Sequence, residues 1–295
     1  MDRRNFLGVT GAALLAPMLS GVAAAKPRTW KDGKKWVYSI TYDEGPQELM
    51  KYAVPLHRKY GIPGHVAFVS SQIGIPRNVP GSSYHGMMIL NRQEIDELDK
   101  EGWGFSCHSL THCGVTDENA QDEVVKAKKV LEDAIEKPIT IFTVPGSNEG
   151  HPPSLKVAAD AGYKAILTIY DRVNVHNSDL MSLGRVPLHT QYPGPFYSEY
   201  DPYKRIHQAI ELGGWIVDYC HCPVPDKPIH PAKDCTSQEL EERFRKVKEI
   251  GGDDVWLADP NDVVEFLTTQ QNAAHPKGGY GLDIRGFGPH GKLNF

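Results

Sequence analysis

The chain has 295 residues, enough for one large domain or two small ones, which excludes a small scaffold held together by disulfides. Apolar residues make up 40% of the sequence and charged residues 23%, which is typical of a globular protein and excludes a disordered or collagen-like chain. The 32 Lys and Arg against 37 Asp and Glu give a net charge of -5 without any long basic block, so we expect no nucleic-acid partner.

The first 25 residues have the pattern of an export signal. Arg3 and Arg4 precede a mostly apolar run over residues 6–22, and three alanines at 23–25 form a small-residue cleavage site. The sequence Arg-Arg-Asn-Phe-Leu that begins at Arg3 resembles a twin-arginine signal, which exports folded proteins. We therefore expect a signal peptide at residues 1–25 and an exported protein, periplasmic or secreted.

A membrane anchor is the alternative interpretation of this segment. Pro17 and Ser20 interrupt the apolar run, which is also at the short end of what spans a bilayer. No other segment approaches the roughly 18 consecutive apolar residues that a spanning helix needs. We therefore expect a mature chain that does not span a membrane.

Beyond this segment, short β-branched or aromatic runs alternate with stretches of helical periodicity. The runs predict strands at residues 35–41, 65–69, 103–106, 139–144, 165–170, 215–219 and 255–257. The stretches between and after them predict helices at residues 46–60, 91–101, 117–136, 153–162, 201–212, 237–250 and 260–268. This order requires a parallel sheet and predicts a single α/β domain over residues 26–271, a closed or nearly closed (β/α)7-type barrel. The Gly-rich tail at residues 272–295 is expected to be irregular.

Reactive side chains follow three of the predicted strands. Asp43 and Glu44 come after the first strand, His108 and His112 after the third, and His221 after the sixth. Loops that leave the carboxyl ends of parallel barrel strands converge on one face of the barrel. We therefore expect these five side chains to meet there.

The two histidines after the third strand are four residues apart, which on a helical turn places both imidazoles within reach of one metal ion. A carboxylate from Asp43 or Glu44 would complete a set of two His and one carboxylate, the arrangement of catalytic zinc. A second carboxylate beside the metal suits hydrolysis, because it takes a proton from the attacking water. The alternatives are two ordinary polar histidines and a solvated acidic turn.

These motifs resemble those of one known family in both order and spacing. Asp43-Glu44-Gly45-Pro46 is similar to the Thr-Phe-Asp-Asp-Gly-Pro motif of the polysaccharide deacetylase family, also called NodB-like or carbohydrate esterase family four. His108-Ser-Leu-Thr-His112 matches its His-Ser/Thr-x-x-His motif. The likeness extends along the chain, through the strands that begin near residues 61, 213 and 255.

The resemblance implies a distorted NodB-like barrel that removes acetyl groups from sugars with a divalent metal, for which we expect zinc. It assigns the general base to Asp43 and the general acid to His221. It assigns the metal ligands to Glu44, His108 and His112.

The sequence departs from the family pattern at three places, one of which is Cys222, after the last His, where the family has Asp. Glu44 stands where the family usually has Asp, and one extra methylene moves the ligand by about 1.5 Å. The Arg-x-Pro-Tyr-Gly motif is represented by residues 143–147, Thr-Val-Pro-Gly-Ser, so its base-orienting arginine is missing. Arg185 or Arg172 is the expected replacement, and the Pro145-Gly146 turn is expected to offer a backbone N–H to the oxyanion.

Aromatic side chains in an inserted segment at residues 191–203 are suited to stack on sugar rings, with loop packing or subunit contact as the alternative. They are Tyr192, Phe196, Tyr197, Tyr200 and Tyr203.

Five cysteines in an exported chain permit disulfides, and their odd number leaves at least one unpaired within a monomer. Cys222 with Cys235 is the favoured pair, because it would close a short loop. The alternatives are cysteines packed as small apolar residues and a metal site built from thiols beside the histidines.

The expected activity is therefore metal-dependent hydrolysis of acetyl groups, N-acetyl in the first instance, on an oligo- or polysaccharide. Two alternatives stay open at this point. An O-acetyl carbohydrate esterase would use the same site, and a non-catalytic glycan-binding protein would explain the missing arginine and the altered carboxylate. The sequence leaves the polymer, the metal and the oligomeric state undetermined.

Overall fold

The computed structural model describes residues 28–191 and 199–274. The predicted signal peptide and nearly all of the predicted tail lie outside these ranges, as do Tyr192, Phe196 and Tyr197. Predictions that concern those residues stay predictions.

Within the two described ranges, eight parallel strands form one sheet around the long strand β1. They are β1 (Trp36–Glu44), β2 (His65–Phe68), β3 (Gly104–Cys107), β4 (Ile141–Thr143), β5 (Ala165–Leu167), β6 (Val186–Pro187), β7 (Trp215–Cys220) and β8 (Val255–Leu257). The order across the sheet is β5-β4-β3-β2-β1-β7-β6, and β8 pairs with the first residues of β1.

The two outer strands approach each other, so the sheet curls into an incomplete barrel. Leu183, shortly before β6, forms a parallel bridge with Leu167 at the end of β5. Its amide donates to the carbonyl of Ile166 at 2.9 Å, and its own carbonyl accepts from the amide of Thr168 at 2.8 Å. The predicted α/β barrel is therefore confirmed, and the carboxyl ends of its strands open into one mouth.

Helices follow most of the strands and cover the outside of the sheet. They are α1 (Leu49–Tyr52), α2 (Val54–Tyr60), α3 (Arg92–Lys100), α4 (Ala127–Ile135), α5 (His151–Ala158), α6 (Ile206–Leu212), α7 (Ser237–Gly251) and α8 (Pro260–Ala274). A π-helical turn, Gln121–Lys126, leads directly into α4. Capping boxes fix the starts of α3 and α7, where Asn91 and Thr236 each accept a hydrogen bond from the backbone three residues on. None of the helices described is long and apolar enough to cross a membrane.

Alternation along β1 separates the core into two apolar layers. Tyr38, Ile40 and Tyr42 pack in the cluster that includes side chains of α2, α3 and α7, whereas Val37 belongs to the second cluster, with side chains of β4, β5, β7 and α8. Because successive strand residues point to opposite faces, Asp43 lies on the face of Val37 and away from the face of Tyr42. This alternation directs the Asp43 carboxylate toward the mouth of the barrel.

The observed elements differ from the predicted ones at three places that matter for the site. Strand β1 runs three residues further than predicted, so Asp43 and Glu44 are its last two residues. The predicted helix at 46–60 is divided into α1 and α2 at Ala53. The two-residue strand β6 was not predicted, because Val186–Pro187 is too short to show any periodicity.

Candidate active site

The side chains that the sequence analysis singled out line one cavity at the carboxyl ends of the strands. The cavity has a volume of about 500 Å³. Asp43 and Glu44 reach it from β1, while loops after β3 and β7 and the residue before β6 supply the rest: His108, His112, His221 and Arg185. The structure thus brings together residues separated by up to 178 positions, from Asp43 to His221.

Asp43 forms a buried, two-pronged ion pair with Arg185. The guanidinium Nη1 and Nη2 donate to Asp43 Oδ1 and Oδ2 at 2.6 and 3.1 Å. Arg185 is itself fixed, because its Nε donates to the carbonyl of Thr168 and its Nη1 also donates to Thr41 Oγ1, both at 3.1 Å. Burial by itself would raise the pKa of Asp43, but Arg185, with a smaller contribution from His108, holds that pKa well below its usual range.

His108 is held in one orientation by the end of β4. Its Nδ1 lies 2.9 Å from the carbonyl of Thr143, which can only accept, so we assign the proton to Nδ1. The Nε2 atom, 4.0 Å from Asp43 Oδ2, then carries the lone pair. Burial lowers the pKa of His108 to about 4, which keeps the ring neutral near pH 7.

The loop that carries both histidines is irregular and does not form a helical turn. Residues 108–112 have no helical assignment, and the backbone of Ser109 and His112 is left-handed, with φ of 71° and 69°. Glu123 accepts hydrogen bonds from the amides of Leu110 and Thr111 at 3.1 and 3.0 Å and stabilises this conformation. The two rings nevertheless come to 5.0 Å between centroids.

Glu44 has two partners, one expected and one not. Its Oε1 lies 3.3 Å from His112 Nε2, as a shared ligand set requires. Its carboxylate also pairs with the guanidinium of Arg77, through both Nε and Nη2. The backbone of Glu44 is left-handed, with φ of 73° in a non-glycine residue, which is a conformation that tends to occur at functional sites.

The donor chemistry of Glu44, His108 and His112 fits a divalent metal. Two neutral imidazoles are present, because burial lowers the pKa of His112 to about 2 as well, and the ring of His108 is oriented by a backbone carbonyl as metal-binding histidines commonly are. In the part of the chain that the structure describes, however, no three His, Cys, Asp or Glu side chains form a preformed metal cluster. The three predicted ligands therefore line one cavity without forming such a cluster, and Arg77 already pairs with the Glu44 carboxylate.

His221 also lines this cavity and directly follows β7. Its backbone amide donates to Asp234 Oδ1 at 2.8 Å, and its Nδ1 lies 3.1 Å from the carbonyl of Lys233. Its ring stacks on Tyr84 at 4.8 Å with an interplanar angle of 8°, and the Tyr84 hydroxyl donates to Asp234. Among the described residues, these contacts give Nδ1 a hydrogen-bond partner and leave Nε2 as the ring nitrogen without one.

The remaining predicted residues divide between the cavity and its surroundings. Gly146 lines the cavity with His108, whereas Pro145 lines a neighbouring one of about 560 Å³. Arg172 donates to the carbonyl of Ser182, whereas Arg185 donates to Asp43, so the arginine that pairs with this carboxylate is Arg185.

All five cysteines are free, so the expected Cys222–Cys235 disulfide is absent. Cys220 and Cys235 are instead both buried in the same apolar cluster.

Sequence reasoning missed four residues around the cavity: Arg77, Tyr84, His189 and Asp234. His189 is buried against Tyr219 with ring centroids 5.2 Å apart, and burial holds its pKa well below the usual range. His189 follows β6, so a prediction of that strand would have identified this histidine as a side chain near a strand end. The other three lie in long loops that have no periodicity, and no local signal identifies them.

Comparison with known proteins adds independent findings. A family model described as polysaccharide deacetylase matches residues 31–166 of this chain. A candidate polysaccharide deacetylase of Bacillus subtilis (strain 168), YxkH, is 23% identical over 164 residues, which is 55% of this chain and 54% of that protein. The chain thus spans about half the length of the curated relative it matches.

Solved structures are similar at the level of the fold. A candidate polysaccharide deacetylase from Mycobacterium smegmatis is 17% identical, with a TM-score of 0.53 over 84% of this chain and 95% of that one. A family 4 acetyl xylan esterase from Clostridium thermocellum, solved in complex with a cobalt ion, is 14% identical, with a TM-score of 0.47 over 80% and 92%. The first of these likenesses shows a shared fold.

Proposed function

Since this chain belongs to the polysaccharide deacetylase family, with the NodB-like fold, we propose that it is an exported enzyme that hydrolyses an N-acetyl group on a carbohydrate with the help of a divalent metal. The observation that carries this proposal is the geometry at Asp43. An ionised carboxylate, fixed by Arg185 at 2.6 and 3.1 Å, lies 4.0 Å from the lone-pair nitrogen of His108 in one cavity. That combination of a fixed base and a metal-binding imidazole is what metal-assisted hydrolysis needs.

Glu44, His108 and His112 would hold the metal, for which we propose zinc because two imidazoles and one carboxylate suit it. When bound, the cation supplies a Lewis acid that polarises the acetyl carbonyl and lowers the pKa of water. Asp43 accepts the proton of the attacking water at Oδ2, the oxygen nearest His108. The backbone N–H of Gly146, at the cavity wall, donates to the developing oxyanion.

His221 donates a proton to the leaving nitrogen. An amine leaves poorly unless it is protonated, and the imidazolium of His221 would supply that proton from Nε2, since its Nδ1–H faces the carbonyl of Lys233. This need for an acid favours amide hydrolysis as the reaction. The cavity of about 500 Å³ accepts a sugar unit of an acetylated oligo- or polysaccharide.

A non-catalytic glycan-binding protein is the second candidate, and one observation favours it. Arg77 pairs with the carboxylate of the proposed metal site. If that pair excludes metal permanently, the cavity keeps its shape and polar lining but loses the Lewis acid. Binding of acetylated glycans without acetate release would then be the function.

The test combines metal content with acetate release from two substrates, N-acetylglucosamine oligomers and acetylated xylan. We expect His112→Ala to lose bound metal and Asp43→Asn to lower kcat/KM by roughly 100-fold to 10,000-fold without loss of metal. His207→Ala, an exposed histidine outside the cavity, is the matched control.

Three outcomes would contradict the proposal. Unchanged metal content in His112→Ala would remove the ligand set. Acetate from xylan alone would make the protein an O-acetyl esterase. Glycan binding with no acetate from either substrate would support the non-catalytic candidate.

A further inference from the structure

Each of the two adjacent carboxylates at the end of β1 has its own buried arginine. Arg185 pairs with Asp43, and Arg77 pairs with Glu44. Arg77 is 2% exposed and Arg185 fully buried, so neither is a surface side chain. The two arginines have different consequences, because Asp43 is the proposed base and Glu44 the proposed metal ligand.

The position of Arg77 is fixed by the backbone of its own loop. Its amide donates to the carbonyl of Met87 at 2.7 Å, and its carbonyl accepts from the amide of Gly86 at 2.9 Å. Pro76 also forms an antiparallel bridge with Met88. The guanidinium carbon lies 5.9 Å from the ring centroid of Tyr84, within the range of a cation–π contact. The loop therefore presents Arg77 to Glu44 in a defined place.

The charges at the mouth of the barrel already balance without a metal. Asp43 and Glu44 contribute two negative charges, and Arg77 and Arg185 contribute two positive ones. A divalent cation that enters this site would therefore meet the guanidinium of Arg77 at Glu44, one of its three proposed ligands.

We propose that Arg77 is an internal counter-ion of Glu44 that competes with the divalent metal and thereby weakens metal binding. The inference rests on the proposed function, because it takes Glu44 as a metal ligand. Glu44 exchanges Arg77 for the metal when the metal binds, whereas the Asp43–Arg185 pair is retained. Metal occupancy of this site is then set by the supply of metal and is reversible. The extra methylene of Glu44 gives the carboxylate the reach to serve both cations.

The experiment measures metal affinity directly on the purified full chain. Co²⁺ is titrated by its visible absorption, and Zn²⁺ by competition with a chromophoric chelator. Arg77→Gln and Arg77→Met remove the charge while keeping a similar length, and Arg77→Lys keeps the charge. Arg92→Gln, which removes an arginine paired with Asp96 on the exposed face of α3, is the matched control.

We expect Arg77→Gln and Arg77→Met to bind both metals at least about tenfold more tightly than the wild-type chain, since the buried Glu44 carboxylate is left without its counter-ion. Arg77→Lys and Arg92→Gln should stay within about threefold of wild type, because both keep a charge beside Glu44. Circular dichroism and thermal unfolding identify any variant that does not fold. If one of the two neutral variants does not fold, the metal affinity of the other one tests the proposal.

Unchanged or weaker metal binding in the folded neutral variants would overturn the inference, because Arg77 would then orient Glu44 for the metal or have no effect on it. This failure is distinct from failure of the proposed function. If wild type binds metal through His112 and the neutral variants bind equally, only the role of Arg77 is wrong. If neither wild type nor any variant binds metal, the metal site itself is wrong.

Discussion

At the scale of single residues, the arginine that pairs with the proposed base, Asp43, is the clearest departure from the family pattern. The resemblance places this arginine in the segment at residues 143–147, where the chain has none. Arg185 reaches the same carboxylate from the residue before β6, and the ring of Tyr219 lies 4.5 Å below its guanidinium. A guanidinium can pair with both oxygens of a carboxylate from more than one direction. An arginine from a different position of the sequence can therefore form the same two-pronged ion pair.

We expect Arg185→Gln to move the acid limb of kcat/KM to higher pH by roughly 1 to 3 pH units. Burial raises the pKa of Asp43, and the charge of Arg185 is the main effect that lowers it. Without Arg185, the pKa of Asp43 therefore rises. The base is then ionised only at higher pH. The pH profile of acetate release measures the effect.

Arg172→Gln is the matched control for this prediction, because Arg172 is exposed and donates to Ser182 rather than to Asp43. A profile of Arg185→Gln that keeps the wild-type acid limb, with only a lower plateau, would mean that Asp43 does not set this limb.

At the scale of elements, β7 and α7 are joined by a fully buried ion pair. Arg243 on α7 donates through Nε and Nη2 to Asp218 on β7 at 2.7 and 2.9 Å. The hydroxyl of Tyr38 on β1 also donates to Asp218, at 2.7 Å. This pair fixes α7 against β7, the strand that His221 directly follows, so the proposed acid depends on it indirectly.

Arg243→Ala should lower the free energy of unfolding by about 3 to 5 kcal/mol, because it leaves the Asp218 carboxylate buried without its counter-ion. Arg245→Ala on the exposed side of α7 should change it by less than about 1 kcal/mol. Urea unfolding followed by circular dichroism measures both. Equal losses in the two variants would show that the buried pair contributes no more than a surface one.

The loop after β3 shows that one residue spacing is compatible with more than one backbone conformation. The spacing of His108 and His112 fits a helical turn, but the loop turns through left-handed residues and is held by Glu123. Both conformations bring side chains four residues apart to one side, so the spacing alone did not distinguish them.

At the scale of the whole molecule, buried neutral histidines make the fold sensitive to acid. His57 lies between aromatic rings of β1, α7 and the start of β3, and burial lowers its pKa to about 3. His108 behaves in the same way, with a pKa of about 4. In the unfolded chain both would titrate near 6.5, so below that pH the unfolded state binds protons that the native state does not.

We therefore expect the free energy of unfolding to fall as the pH drops from about 6.5 toward 4, with about 3 kcal/mol lost from His57 alone at pH 4. Urea unfolding at several pH values, with a chelator present to exclude metal, measures this loss. His57→Phe should flatten the dependence, whereas the exposed His207→Gln should not. A wild-type stability that is constant between pH 7 and 5 would contradict the prediction.

The sequence by itself determined the barrel and the carboxylates and histidines at its mouth. Alternation of strand and helix patterns required parallel strands, and parallel strands put Asp43, His108 and His221 at one mouth, because these residues lie at or directly after strand ends. Such signals are local, since each is a run of residues with a fixed period or a short motif beside it.

Only the tertiary structure decided which charges meet there. Arg185 lies 142 residues from Asp43, and Arg77 lies 33 residues from Glu44 in a loop without periodicity. Closure of the barrel through Leu183 and the backbone pairing of the Arg77 loop bring these guanidiniums to the carboxylates. Contacts of this kind depend on how separate segments pack, and the residues on either side of them carry no pattern that identifies the partner.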